Sequence, residues 1–224
     1  MDKIEIHKII RTKRRRTIAL IIGPDATLTV RAPIRTPVEY IEQLVSKKIS
    51  WIKRKIREVR SRPTVPGKEF VTGESFLFLG KPYKLSFSKN TQTPLDFRGG
   101  FVIAQEYQPH AKQLLTDWYK KRGREKITER VEWYSRSLGL KCRTINITAA
   151  KKRWGSCTAD GNLNFSWRLI MAPLSIVDYA VVHELAHLEE KNHSKKFWNK
   201  IRTIFPDYKD RAKWLKENEL LMSL

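Results

Sequence analysis

The chain has 224 residues, with 45 Lys and Arg against 23 Asp and Glu, and a formal charge of +22 with histidine neutral. This length can bury a sizeable core in one large or two small domains. No apolar run is long enough to span a bilayer, and the opening MDKIEIHKII lacks the apolar stretch of a signal peptide. Taken in chain order, RRRTIALIIGPDATLTVRAP predicts two strands joined by a Gly-Pro-Asp turn, with apolar alternation at Ile18, Leu20 and Ile22. TPVEYIEQLVSKKISWIKRKIREVRSR predicts one long helix, capped by Thr36, with Pro37 in its first turn and Glu39 and Glu42 near its positive end. Ile41, Leu44, Val45, Ile49, Ile52 and Ile56 form its buried stripe. SRPTVPGKE reads as a linker. Strands follow around Phe76–Leu79, Tyr83–Phe87 and Phe101–Ala104, with Gly99-Gly100 as a turn. A second long helix is expected from about Tyr107 to Leu138, opening the part of the chain that carries the chemistry. The expected architecture is α+β: a β-rich N-terminal module over residues 1–105 and a metal-binding module over 106–224.

The next stretch, KKRWGSCTADGNLNFSWRLIMAP, contains Asp160-Gly161, a strong two-residue hairpin signal. After it, Leu163, Phe165, Trp167 and Leu169 alternate with Asn164, Ser166 and Arg168, the period of a half-buried strand. Trp154 to Cys157 supply the partner strand. A strand beside a catalytic metal can take an extended peptide onto its edge, and Gly155 offers a bare backbone for close approach. Arg153, Trp154, Gly155 and Ser156 are therefore candidate substrate contacts. Trp154 and Trp167 read more simply as packing residues of a core hairpin. Cys142 and Cys157 are the only cysteines, without C-x-x-C pairing, and fit reduced, partly buried thiols in a cytoplasmic protein. Packing explains Cys157 better than approach to a metal does.

The segment VVHELAHLEEKNHSKKFW holds three of the five histidines: His183, His187 and His193. His183 and His187 are four apart, so on a helix their rings stand one turn apart on the same face. Two such imidazoles can grip one zinc ion. Glu184 sits about 100° around the helix from His183. Its carboxylate then lies beside the metal, where it can take a proton from a metal-activated water, as the H-E-x-x-H pattern implies. Catalytic zinc usually has three protein ligands. Asn192 can turn the chain and Ser194 can cap a new helix, bringing His193 back over the metal. The spacing equals that of the metzincin pattern, but Glu190 stands where that pattern has glycine, so the metzincin turn is not assumed. Glu189 and Glu190 are weaker ligands, because the helix is expected to run through them. SIVDYAVV is apolar almost all round, which makes this a core helix, and Ser175 with Asp178 can form a capping box at its start. A core helix bearing His, Glu and His needs partners for those groups, and a metal supplies them.

RWGSC, LNFSWRLIMAP, DYAVVHELAHL and NHSKKFW, in this order, resemble the YgjP-like metallopeptidase family, also called domain of unknown function 45. FPDYKDRAKWL and the early RRRTIALIIGPDATLTVRAP fit the same family, so the resemblance spans nearly the whole chain. It implies a zincin-type, zinc-dependent hydrolase, with a zincin-like C-terminal module, related more distantly to SprT-like and other small metalloproteases. His183, His187 and His193 match the family's zinc ligands and Glu184 its catalytic glutamate, with no departure at these four positions.

Two functional classes follow. The leading one is a zinc metallopeptidase acting on a peptide or protein, with Glu184 as general base and Arg153, Asn192 and Tyr208 as candidate donors to the oxyanion. The alternative is a polyanion- or nucleic-acid-associated protein with a mainly structural metal, suggested by basic clusters at Lys13–Arg16, Lys47–Arg62, Lys120–Arg124 and Lys151–Arg153. No helix-turn-helix, RNA-binding motif or zinc-finger spacing sharpens that alternative, and weak binding without sequence preference is the expectation. No fourth protein ligand is evident, which favours catalysis over a closed structural site. Ligand type leaves manganese, iron and cobalt open beside zinc. The sequence sets neither the natural substrate nor the oligomeric state.

Overall fold

A computed structural model describes residues 5–13, 16–23, 25–61, 67–151 and 153–224. The chain divides into two compact units, residues 1–64 and 65–224. The fold is a mixed α+β arrangement with three small sheets and six α-helices among the described residues. None of the described helices is long and apolar enough to cross a membrane.

In the first unit, strands β1 (Ile6–Thr12), β2 (Ala19–Ile22) and β3 (Leu28–Pro33) form a sheet of order β1-β3-β2. β3 runs parallel to β1 and antiparallel to β2. Leu28, Val30 and Ala32 alternate along β3 into the core, the period of a strand with one covered face. The sequence reading found β2 and β3 but not β1. The Gly-Pro-Asp turn and most of the linker involve Pro24 and residues 62–66, which lie outside the described residues, as do Arg14, Arg15 and Lys152 of the basic clusters.

The single long helix expected here is two: α1 (Val38–Lys47) and α2 (Ile49–Arg60). Lys48 leaves helical geometry at φ −103° and ψ 13°. The break lets Ile41 and Val45 on one segment and Ile52 on the next reach the same small core. Thr36 does not cap α1. Pro37 occupies the cap position, and the Thr36 carbonyl accepts from the Arg11 guanidinium instead.

The second unit begins with β4 (Ser75–Phe78), β5 (Lys81–Ser88), β6 (Leu95–Phe97) and β7 (Phe101–Ala104), in the order β4-β5-β7-β6. A 3₁₀ turn over Gln105–His110 leads into α3 (Ala111–Leu138), so the α-helix starts later than expected. The 105/106 division expected from sequence falls inside this unit, because Phe76, Leu85, Phe101 and Ile103 share one core with Leu115, Tyr119 and Trp167.

The second sheet joins β8 (Thr144–Thr148), β9 (Gly155–Cys157) and β10 (Asn162–Ser166) in the order β8-β10-β9, which leaves β9 at an edge. β9 and β10 form the expected hairpin, with Gly161 at φ 78° in its turn. The alternation past Ser166 is not strand: Trp167–Met171 coil into a 3₁₀ turn that buries Leu169, Ile170 and Met171 together. Three helices complete the unit: α4 (Leu174–Ala186), α5 (Lys195–Ile204) and α6 (Tyr208–Glu217).

Candidate metal centre

Nine of the thirteen residues of α4 are buried, and Val177, Val181, Val182 and Leu185 have no exposure at all. The helix is held from several sides. The β4–β5 hairpin tip donates the Leu79 and Gly80 N–H groups to the Ile170 and Met171 carbonyls just before α4. Asp178 receives a two-pronged bond from the Arg130 guanidinium on α3, at 2.5 and 3.1 Å. The Ser175–Asp178 capping box does not form: Pro173 stands at the cap without a side-chain bond, so Ser175 is already inside the helix, and Asp178 pairs with Arg130 instead. The Ser175 carbonyl accepts from Arg211 on α6.

α4 ends at Ala186, earlier than the reading through Glu190 expected. His187 is the C-cap, and the N–H groups of Glu189 and Glu190 fold back onto the Ala186 carbonyl. His187 Nδ1 lies 2.9 Å from the Glu190 carbonyl oxygen. A carbonyl only accepts, so Nδ1 donates here, which leaves Nε2 as the ring nitrogen available to a metal. Glu189 pairs with Lys200. The chain then turns, and Ser194 caps α5 as expected, its Oγ accepting from the Phe197 N–H.

The turn returns His193 to α4. His193 Nε2 lies 2.9 Å from His183 Nε2, and one ligand atom from each of His183, His187 and His193 lies within 4.8 Å of the others. Phe197 backs all three rings, with centroids 4.9, 4.6 and 4.8 Å away. Trp198 stacks on His193 and Tyr208 stacks on Trp198, which fixes the ring that arrives from the turn. Burial, and then the neighbouring His187 and His193, push His183 down to about 3, so it is neutral at neutral pH, the form that ligates metals. His193 is also lowered, by burial and then by His187.

Glu184, about 100° around the helix from His183, packs against Gly155 of β9. Its side chain is buried, and burial raises its carboxyl to about 7 against the opposing pull of Arg153 and of the Cys157 backbone N–H. A cavity of about 280 Å³ opens beside Glu184 and His183, with Arg153, Trp154 and Gly155 among its walls. Ser156 is turned into the sheet, where its Oγ accepts from Asn164. Asn192 is exposed in the turn before His193, away from the cavity walls. Cys157 packs against the core, as its apolar reading expected, and stands outside the histidine group. Trp167 is a core residue, whereas Trp154 is half-buried and lines the cavity.

A family model for the YgjP-like metallopeptidase domain matches residues 16–218. The chain belongs to the YgjP-like metallopeptidase family. Membership of this metallopeptidase family supports metal-dependent hydrolysis at family level and implies a metal cofactor. The zymogen of the metallopeptidase abylysin from Pyrococcus abyssi is similar over 41% of this chain and 93% of its own, at 20% identity and a TM-score of 0.37. A TM-score this low establishes neither a shared fold nor a shared chemistry. A search of curated proteins gave no match.

The residues present fit the implied metal. Two ring nitrogens 2.9 Å apart can share one proton as a donor–acceptor pair, but that joins only His183 and His193, and His187 is bonded through Nδ1 alone. A single cation can accept lone pairs from all three. Three imidazoles suit zinc, and three protein ligands leave a position open for reactants.

Sequence reading missed Tyr179 and Lys216, which also line the cavity. Tyr179 precedes His183 by one helical turn, so helical periodicity alone could have placed it on the same face. Lys216 comes from α6, and no local pattern could have brought it here.

Proposed function

We propose that this protein is a zinc-dependent peptidase in which His183, His187 and His193 hold the ion and Glu184 is the general base. The observation that carries the reading is the convergence of three ring nitrogens within 4.8 Å, beside a buried glutamate that is not one of them. We further read the α4–turn–α5 arrangement as zincin-like.

Zinc bound there would act as a Lewis acid, polarising a carbonyl and making water more acidic. His187 is oriented for binding by the Glu190 carbonyl, and the Phe197 and Trp198 rings hold His193 in place. A substrate main chain laid along the β9 edge would bring its scissile carbonyl between the histidines and Glu184. Glu184 takes the proton of the attacking water on a carboxylate oxygen, then delivers it to the amide nitrogen as the C–N bond breaks. Burial keeps bulk water from competing for that carboxylate. Tyr208 and Arg153 remain the proposed donors to the oxyanion, and Tyr179, whose phenol burial keeps protonated by raising it to about 12, joins them.

Cleavage of a mixed peptide library, with and without chelator, tests the proposal. Products should appear, vanish with chelator and return with zinc. A zinc-loaded, folded protein that cleaves no member of the library contradicts it.

A further inference from the structure

The cavity beside Glu184 lies between one face of α4 and one face of α6. Ala180 on α4 and Ala212 and Leu215 on α6 give it apolar walls, and the two alanines create its room. Ala212, Leu215 and Lys216 share one face of α6 by their spacing of three and four, so Lys216 is directed to the same space as the apolar floor. Arg153 enters from the start of β9 on the other side.

Some helix cations on this unit are matched by acids a turn away, as in Lys120 with Asp117, Arg122 with Glu125 and Lys126 with Glu129, while others on the same helix, such as Lys121 and Arg124, point to solvent without one. Arg153 and Lys216 form no ion pair or hydrogen bond among the described residues. At about 280 Å³ the cavity is at the small end for a ligand site and suits one side chain or a chain end rather than a whole ligand. An apolar slot with Arg153 and Lys216 among its walls is complementary to a short aliphatic stem whose anion meets these cations rather than Glu184, which lines the same cavity and already feels the charge of Arg153.

We infer that this cavity is a carboxylate subsite: it takes a glutamate-like side chain, or the free C-terminus, of a substrate residue flanking the scissile bond. The inference rests on the peptidase reading for its placement, since the same cavity touches Glu184 and His183. Arg153 and Lys216 are the specificity-determining residues. Both are exposed enough for water to screen them, so each charge is worth a few-fold and the pair about tenfold.

The test uses the metal-loaded full chain and matched peptides that differ as Glu or Gln at each flanking position, each with a free or an amidated C-terminus. Wild type should favour the carboxylate over the amide by about tenfold in kcat/KM at one position, less so at high salt. Lys216→Glu should bring that ratio to one or below. Preference that follows the side chain assigns the subsite to an acidic residue, and preference that follows the free terminus assigns it to the chain end. Both support a carboxylate subsite. Equal rates for all four peptides overturn it while leaving the peptidase reading intact. Calorimetric titration of metal-free protein with N-acetyl-glutamate α-amide separates the two readings further. Binding by wild type that Lys216→Glu weakens supports the subsite even if no peptide is cleaved, and equal binding by the two proteins overturns it.

Discussion

Gly155 on β9 and Glu184 on α4 are packed so closely that a Cβ on Gly155 would lie 2.5 Å from Glu184 Cγ and 2.7 Å from its Oε1. Real Cβ atoms do not approach other heavy atoms this closely, and Glu184 is buried, so one of the two elements must give way. The missing side chain at 155 is therefore what lets the carboxylate sit against the edge strand.

Gly155→Ala should fold and keep its metal, because no histidine contact is involved, yet lose about a hundredfold in kcat through displacement of Glu184 by an ångström or so. Turnover measured beside metal content checks this. Wild-type turnover in the variant would show that the carboxylate's place against β9 is not needed.

Asp178 and Arg130 tie α4 to α3, with side chains only 13% and 17% exposed. Asp178→Ala removes both bonds and leaves the guanidinium without its anion. The expected cost is about 1.5–3 kcal/mol, the range for bonds to charged groups, or a fall in Tm of roughly 3–12 °C for a chain this long. Thermal melting of metal-free protein measures it. An unchanged Tm would mean that α4 is held by its apolar packing alone.

The site was more legible in the sequence than the fold around it. His183, His187 and Ser194 carry local signals, helical spacing and cap chemistry, and these survive in the folded chain. By contrast, α4 ends at Ala186, well before Asn192, and Asn192 does not take the left-handed conformation expected of it. The Ser175–Asp178 box was equally good local chemistry, but the helix begins at Leu174, one residue before Ser175, and Asp178 pairs with Arg130, 48 residues away in sequence. β8 escaped notice because Ile145 and Ile147 are only half-buried between polar neighbours, and β6 is three residues long. The break at Lys48 follows from what Ile52 packs against, which no window of sequence contains. The walls supplied by Ala212, Leu215 and Lys216 depend on α6 docking beside α4, and that is tertiary information.

The charge of +22 makes a second measurement worthwhile. α2 exposes Arg54, Arg57 and Arg60, and we expect weak, sequence-independent binding to nucleic acid that weakens steeply with salt as counterion release is lost. Gel shifts with random duplex and single strands across ionic strength would reveal it. Absence of binding at the lowest salt would reduce the charge to a solubility feature.

Metal content tests the third ligand. Wild type should carry about one equivalent of zinc per chain. His193→Ala should hold it far more weakly under competition with a chelator, since two imidazoles remain. A folded variant that competes as well as wild type would remove His193 from the ligand set.

The central claim is that binding the metal and moving the proton belong to different residues. Glu184→Gln tests it most directly, because the amide is nearly isosteric and cannot accept the proton. The measurement is turnover of the best library peptide, with zinc content and Tm recorded on the same preparation. The account predicts unchanged zinc, a near-wild-type melt and a loss of about a hundred- to ten-thousandfold in kcat. A zinc-loaded Glu184→Gln protein that turns over like wild type would contradict it.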